Sequence, residues 1–165
     1  MCRQAGTGIE QPPEPHQHWH IDVSCLNVFE ALCYLCSILD GCSLFLVYWD
    51  LREQMTEAYM EIILERAKER YPGVRPRIIS DSGPQFIAKD LQEFIRPGTP
   101  LSLEDARRLV KGYVEFYNNV RLSRAIGYIT PKDMLAGHLQ EIEVKRNRKL
   151  EAAREQRKNR RHYAA

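Results

Sequence analysis

No stretch of this 165-residue chain approaches eighteen uninterrupted apolar residues, so no membrane-spanning helix is expected. The first nineteen residues lack the apolar core of a secretory signal, which points to a cytoplasmic protein. Cysteine is sparse and odd in number: Cys2, Cys25, Cys33, Cys36 and Cys42 cannot all pair with one another. Reduced, mostly buried thiols are the reading. There is no internal repeat, which excludes solenoids and propellers. Nor is the chain poor in apolar residues. With 44% hydrophobic and 28% charged residues it has the make-up of an ordinary folded domain, which argues against wholesale disorder. The length suits one domain with a real core, not two.

The net charge of +2 conceals an uneven distribution. Residues 139–165 carry nine Lys and Arg against four Glu, a net of +5, whereas the other 138 residues carry fifteen against eighteen, a net of −3. A basic tail on a slightly acidic domain fits a polyanionic partner, and equally a solvated, weakly helical end.

Residues 1–18 read as a linker, because Pro12, Pro13 and Pro15 forbid a helix there. Trp19, Ile21, Val23 and Cys25 then alternate with His20, Asp22 and Ser24, the period of a strand. A second apolar run covers 31–39, and Asp40-Gly41 signals a hairpin into a third strand over 44–49. An antiparallel meander is expected. Thr56 can cap a helix carrying Tyr59, Ile62, Ile63 and Ala67, which ends before Pro72-Gly73. Arg77-Ile78-Ile79-Ser80 reads as a short fourth strand, and Ile87, Leu91, Phe94 and Ile95 as a short helix. Ser102 and Asp105 form a capping-box-like start to a helix with the stripe Ala106, Leu109, Val110, Tyr113, Val114 and Tyr117. Thr130-Pro131 is an N-cap followed by N1 of a short helix.

Two acids sit where strands usually avoid them. Asp22 lies inside the first strand and Asp81 ends the fourth. A strand that returns through a crossover helix tends to lie parallel to an earlier one. Beside each other, the two carboxylates would repel unless a cation intervened, and Mg2+ prefers such hard oxygen ligands. The structural alternatives are an Asx turn at Asp81 and backbone acceptance at Asp22. A zinc reading of His16, His20, Cys33 and Cys36 is weaker. An odd separation on a strand puts Cys33 and Cys36 on opposite faces.

Four motifs follow in order: Trp19-His20-Ile21-Asp22, Asp81-Ser82-Gly83-Pro84-Gln85-Phe86, Tyr117-Asn118-Asn119-Val120-Arg121 and Gly127-Tyr128-Ile129-Thr130-Pro131. Together they resemble the integrase-like transposases of bacterial insertion sequences, relatives of retroviral integrases, over residues 19–138. The resemblance implies an α/β, ribonuclease-H-like fold, a mixed sheet flanked by helices. It also implies a cytoplasmic, bacterial protein that acts in DNA integration and transposition. An Asp-Asp-Glu triad would bind Mg2+, with Asp22 and Asp81 matching its first two positions as catalytic residues and metal ligands.

The third acid is missing from the pattern. In the family a Glu follows the second Asp after thirty-five intervening residues, and counting from Asp81 lands on Tyr117. Against the family pattern a strand, a loop and most of a helix, roughly thirty residues at ordinary element lengths, are missing near Ile95-Arg96, through an in-frame deletion or a sequencing or assembly error. The fifth strand and the catalytic-Glu helix go with them, so magnesium is expected to be weakly held or lost and the chain to be inactive. Glu93, Glu104 and Glu115 are the acids that a residual metal nuclease would use. Ser123-Arg124 replaces a His-Ser pair usual in relatives, and the helix-turn-helix region expected upstream does not appear. The organisation expected is therefore a linker (1–18), a truncated core (19–138) and a basic tail (139–165). In the tail Lys145, Arg146, Arg148, Lys149, Arg157, Lys158, Arg160 and Arg161 are the candidate DNA contacts. The partners implied are DNA and full-length transposase in a homo-oligomer, with no membrane.

Overall fold

The computed structural model describes residues 12–28, 31–80, 91, 93–95 and 100–163, with side chains described as far as residue 160. Among these residues a four-stranded mixed sheet has the order β3-β2-β1-β4. The first strands, β1 (His18–Val28), β2 (Ala31–Asp40) and β3 (Leu46–Arg52), form the antiparallel meander that alternation indicates. Helix α1 (Glu57–Arg70) then crosses over, and β4 (Arg77–Ser80) returns parallel to β1. Helix α2 (Leu103–Asn119), a 3-10 turn at Arg124–Ile126, α3 (Pro131–Leu135) and α4 (Leu139–Tyr163) complete the order.

The hairpin is longer than Asp40-Gly41 alone indicates. Residues 41–45 separate β2 from β3, with Leu44 at φ 59° and a register shift at Ile38/Leu39. The reason lies in Asp40. Its buried carboxylate accepts from Ser43 N at 2.7 Å and from Ser43 Oγ at 2.6 Å, which closes a wider turn than two residues allow. Gly41 sits in close quarters there. A Cβ on it would come within 3.1 Å of His20 Nε2 and 3.2 Å of Pro12 Cγ.

Two apolar layers cover the sheet. On one face Trp19, Ile21, Cys36, Ile38 and Val47 meet Ile63 and Ala67 of α1. On the other, Leu26, Val28, Cys33, Leu35, Leu46 and Leu51 meet Ala106, Val110, Tyr113 and Tyr117 of α2, together with Leu91 and Ile95. Each Val, Leu or Ile side chain among these, fully buried, contributes about 1.5–3 kcal/mol of transfer free energy. Cys33 and Cys36 lie in opposite layers, as the strand period requires. The Cys36 thiol is pushed up to about 12, by burial first and then by the carboxylates of Asp50 and Asp22.

The helices begin where the capping residues say. Thr56 Oγ1 accepts from Tyr59 N, Ser102 Oγ from Asp105 N and Thr130 Oγ1 from Asp133 N. Arg52 stacks 4.4 Å over the Tyr59 ring and Arg70 4.7 Å over Tyr48, which ties α1 to β3. Helix α2 grips β3 at both ends. Asn118 Oδ1 accepts from Leu46 N at 2.9 Å and its Nδ2 donates to Leu46 O at 3.1 Å, while Arg107 donates twice to Leu51 O. These bonds satisfy polar groups of an edge strand that would otherwise invite pairing.

Candidate active site

The two apolar layers do not cover β1 equally along its length, and that places the site. Trp19, Ile21 and Val23 face the α1 layer, while Leu26 and Val28 face the α2 layer. The apolar positions therefore change phase midway along the strand. His20 and Asp22 share the face of Leu26 but lie before the part that the α2 layer buries, and both are half-exposed. Asp22 thus stands on a rigid strand with access to water, opposite the buried Ser37 of β2.

The parallel pairing of β4 with β1 is also as expected. Ile21 pairs with Ser80, the last residue of β4, so Asp22 is the next residue of β1 beyond that pairing. Asp81, the other candidate ligand, lies outside the described residues, as does the turn at Ser82-Gly83-Pro84.

The three substitute acids are not gathered around Asp22. Glu93 is exposed between the buried Leu91 and Ile95. Glu104 and Glu115 are exposed on α2, on the side of the helix opposite its buried stripe of Ala106, Val110, Tyr113 and Tyr117. Among the described residues no group of three or more His, Cys, Asp or Glu side chains converges on a common point.

The described part of the basic tail is a single helix, α4, exposed along almost all of its length as far as residue 160. Its candidate contacts differ in what already engages them. Arg146 is half-buried and donates to Gly127 O at 3.0 Å and to Tyr128 O at 2.8 Å, which fastens the helix to the loop before α3. Lys145 pairs with Glu141 at 2.6 Å, and that contact holds the Glu141 carboxyl below its ordinary range. Lys158 lies 3.9 Å from Glu155. Arg148, Lys149, Arg157 and Arg160 are exposed, and the Arg161 side chain lies outside the description.

No motif in the sequence marks the polar network at the start of β1. Asp40 accepts from His16 N at 2.6 Å in addition to Ser43, and Trp19 Nε1 donates to His16 Nδ1 at 3.1 Å. The spacing of Asp40 and Ser43 is a signal for such a turn. Nothing local in the sequence marks the return of His16 to Asp40.

A mixed sheet in this order, with a parallel β1–β4 pair and helices on both faces, defines a ribonuclease-H-like α/β protein. Residues 12–97, a little over half of the chain, match the integrase core domain, and the chain belongs to that family. Among solved structures, the HTLV-2 integrase catalytic core domain in complex with magnesium, in its dimeric form, is similar. It has a TM-score of 0.51 at 14% identity, over 74% of this chain and 97% of that one. The trimeric form gives 0.52 at 15% identity, with the same coverage. A chain of the simian T-cell lymphotropic virus intasome in complex with PP2A regulatory subunit B56 gamma gives 0.57 at 12% identity, over 75% of this chain and 57% of that one. At these identities the likeness speaks for the fold. No curated protein matches the chain. Among the described residues no helix is long and apolar enough to cross a membrane.

Proposed function

We propose that this chain is a derivative of an insertion-sequence transposase, built on a DNA strand-transfer fold but catalytically inactive. The observation that carries the reading is Asp22. It stands half-exposed in the middle of β1, one residue beyond the pairing with β4, and no group of three or more His, Cys, Asp or Glu side chains among the described residues could hold a metal ion. Asp22 and Asp81 supply hard carboxylate oxygens, and the exposure of Asp22 leaves room for water in a cation's shell. The donor set therefore suits Mg2+. When bound, such an ion would polarise a phosphodiester and activate the attacking oxygen. The role of Asp22 is to fix one carboxylate on a rigid strand. Two carboxylates, however, cannot balance two divalent ions, so the lost glutamate weakens the site and removes the reaction.

In this reading residues 19–138 are a shortened core, 1–18 lead into it and 139–165 form a DNA-contacting tail. The test is a nicking and strand-transfer assay on terminal-repeat DNA in Mg2+ and in Mn2+. No product is expected. Product that disappears in Asp22→Ala and in Asp81→Ala would overturn the inactivity.

A second reading, a non-enzymatic DNA-binding or transposase-inhibiting fragment, draws on α4. Arg148, Lys149, Arg157 and Arg160 are presented along one exposed helix and can neutralise phosphates without reading sequence. Binding to duplex DNA should then weaken steeply with salt, at a log–log slope of about −0.9 per phosphate contacted. No binding at low ionic strength would remove this reading. A pull-down with full-length transposase tests the inhibitory form.

A further inference from the structure

Residues 12–17 lie against the end of the sheet, and His16 holds them there. Its backbone N–H donates to Asp40 Oδ1 at 2.6 Å and its Nδ1 accepts the Trp19 indole N–H at 3.1 Å. Its ring packs against Tyr71 at the end of α1, with centroids 4.5 Å apart. The residue adopts φ 62°, in the left-handed region that few non-glycine residues occupy and in which histidine is among the more frequent. Both anchors, Trp19 and Asp40, have no exposed surface. One residue on, Gln17 O accepts from Arg77 N at 2.8 Å, so the same segment also fastens the start of β4.

His16 Nδ1 can accept this bond only while it carries no proton. A proton there would set two N–H donors against each other at 3.1 Å and leave the indole N–H of a buried tryptophan without an acceptor. Asp40 Oδ1, 3.9 Å from Nδ1, pulls the other way. Burial of the ring outweighs it and holds the imidazole below its ordinary range. The other titratable or charged groups nearby are Tyr71 and Arg70 at the end of α1, Cys42 in the turn, Glu14 within the segment, His18 and His20 at the start of β1, and Arg77 at the start of β4. Burial pushes the Tyr71 hydroxyl and the Cys42 thiol upward, so neither changes charge near neutral pH.

We propose that residues 12–17 form a proton-released latch, in which neutral His16 clasps the segment to Trp19 and Asp40 and acid opens it. The sign follows from the lowered pKa in the closed form. The hold is complete above about 6.5, the value for a free histidine, and is lost as the pH falls below it toward the closed-state value.

The experiment is an NMR titration of the full chain from about pH 8 to pH 5, where histidine is the side chain that titrates. It follows the His16 ring signal and the two indole N–H signals, of Trp19 and Trp49. The Trp19 signal should move with the midpoint of His16, below about 6.5, while Trp49 stays in place. His16→Gln keeps an acceptor that does not titrate, and the Trp19 transition should vanish. Trp19→Phe removes the donor, and the His16 midpoint should rise. A flat Trp19 signal in the unaltered chain, a His16 midpoint above about 6.5, or a transition that persists in His16→Gln overturns the latch.

Discussion

Helices α2 and α4 are both long and rich in charge, yet they are held by different means. The buried stripe of α2 is locked under the sheet, its N-terminus is capped by Ser102, and its side chains reach β3 through Arg107 and Asn118. Helix α4 is anchored near its base by Arg146, and residues 147–160 are exposed throughout. The contrast teaches that intrinsic helix preference is a minor part of what fixes a helix. Tertiary contacts make α2 part of the scaffold and leave the charges of α4 available to a partner.

Four variants probe that contrast. Asn118→Ala should act most strongly, since it strips both polar groups of Leu46 of their partner in a buried place. A loss of about 2–3 kcal/mol in denaturant unfolding is expected. Ser102→Ala removes the cap of α2 and should cost about 1 kcal/mol in the same measurement. Gly112 lies within α2 with open space where a Cβ would stand, so Gly112→Ala should stabilise by about 0.5–1 kcal/mol. Replacing Arg148, Lys149, Arg157 and Arg160 together by Gln should leave stability within about 0.5 kcal/mol and flatten the salt dependence of DNA binding. A large stability loss in that last variant would mean that α4 is part of the scaffold after all.

Much of the fold is legible in the sequence because local signals agree with tertiary packing. Thr56, Ser102 and Thr130 are caps in sequence and in structure, and Arg77-Ile78-Ile79-Ser80 pairs with β1 in parallel. The full extent of β1 was harder to read. Its apolar residues are odd-numbered up to Val23 and even-numbered from Leu26, because α1 covers one face early and α2 the other face later. A single period-2 pattern cannot describe such a strand. The longer β2–β3 turn depends on the burial of Asp40, and the fastening of His16 on a contact twenty-four residues away. Of the site, Asp22 was legible as an acid inside a strand. Its half-exposure was not, since it depends on where α2 stops covering the sheet.

The change of phase in β1 has a further consequence. A slide of one residue against β2 would carry the Asp22 carboxylate into the oily layer beneath α1 and, in the same stroke, turn Leu26 and Val28 away from theirs. The ribbon is keyed from above at one end and from below at the other, like a bolt threaded through two plates. The position of a single carboxylate is thereby set by two separate cores, neither of which needs to touch it.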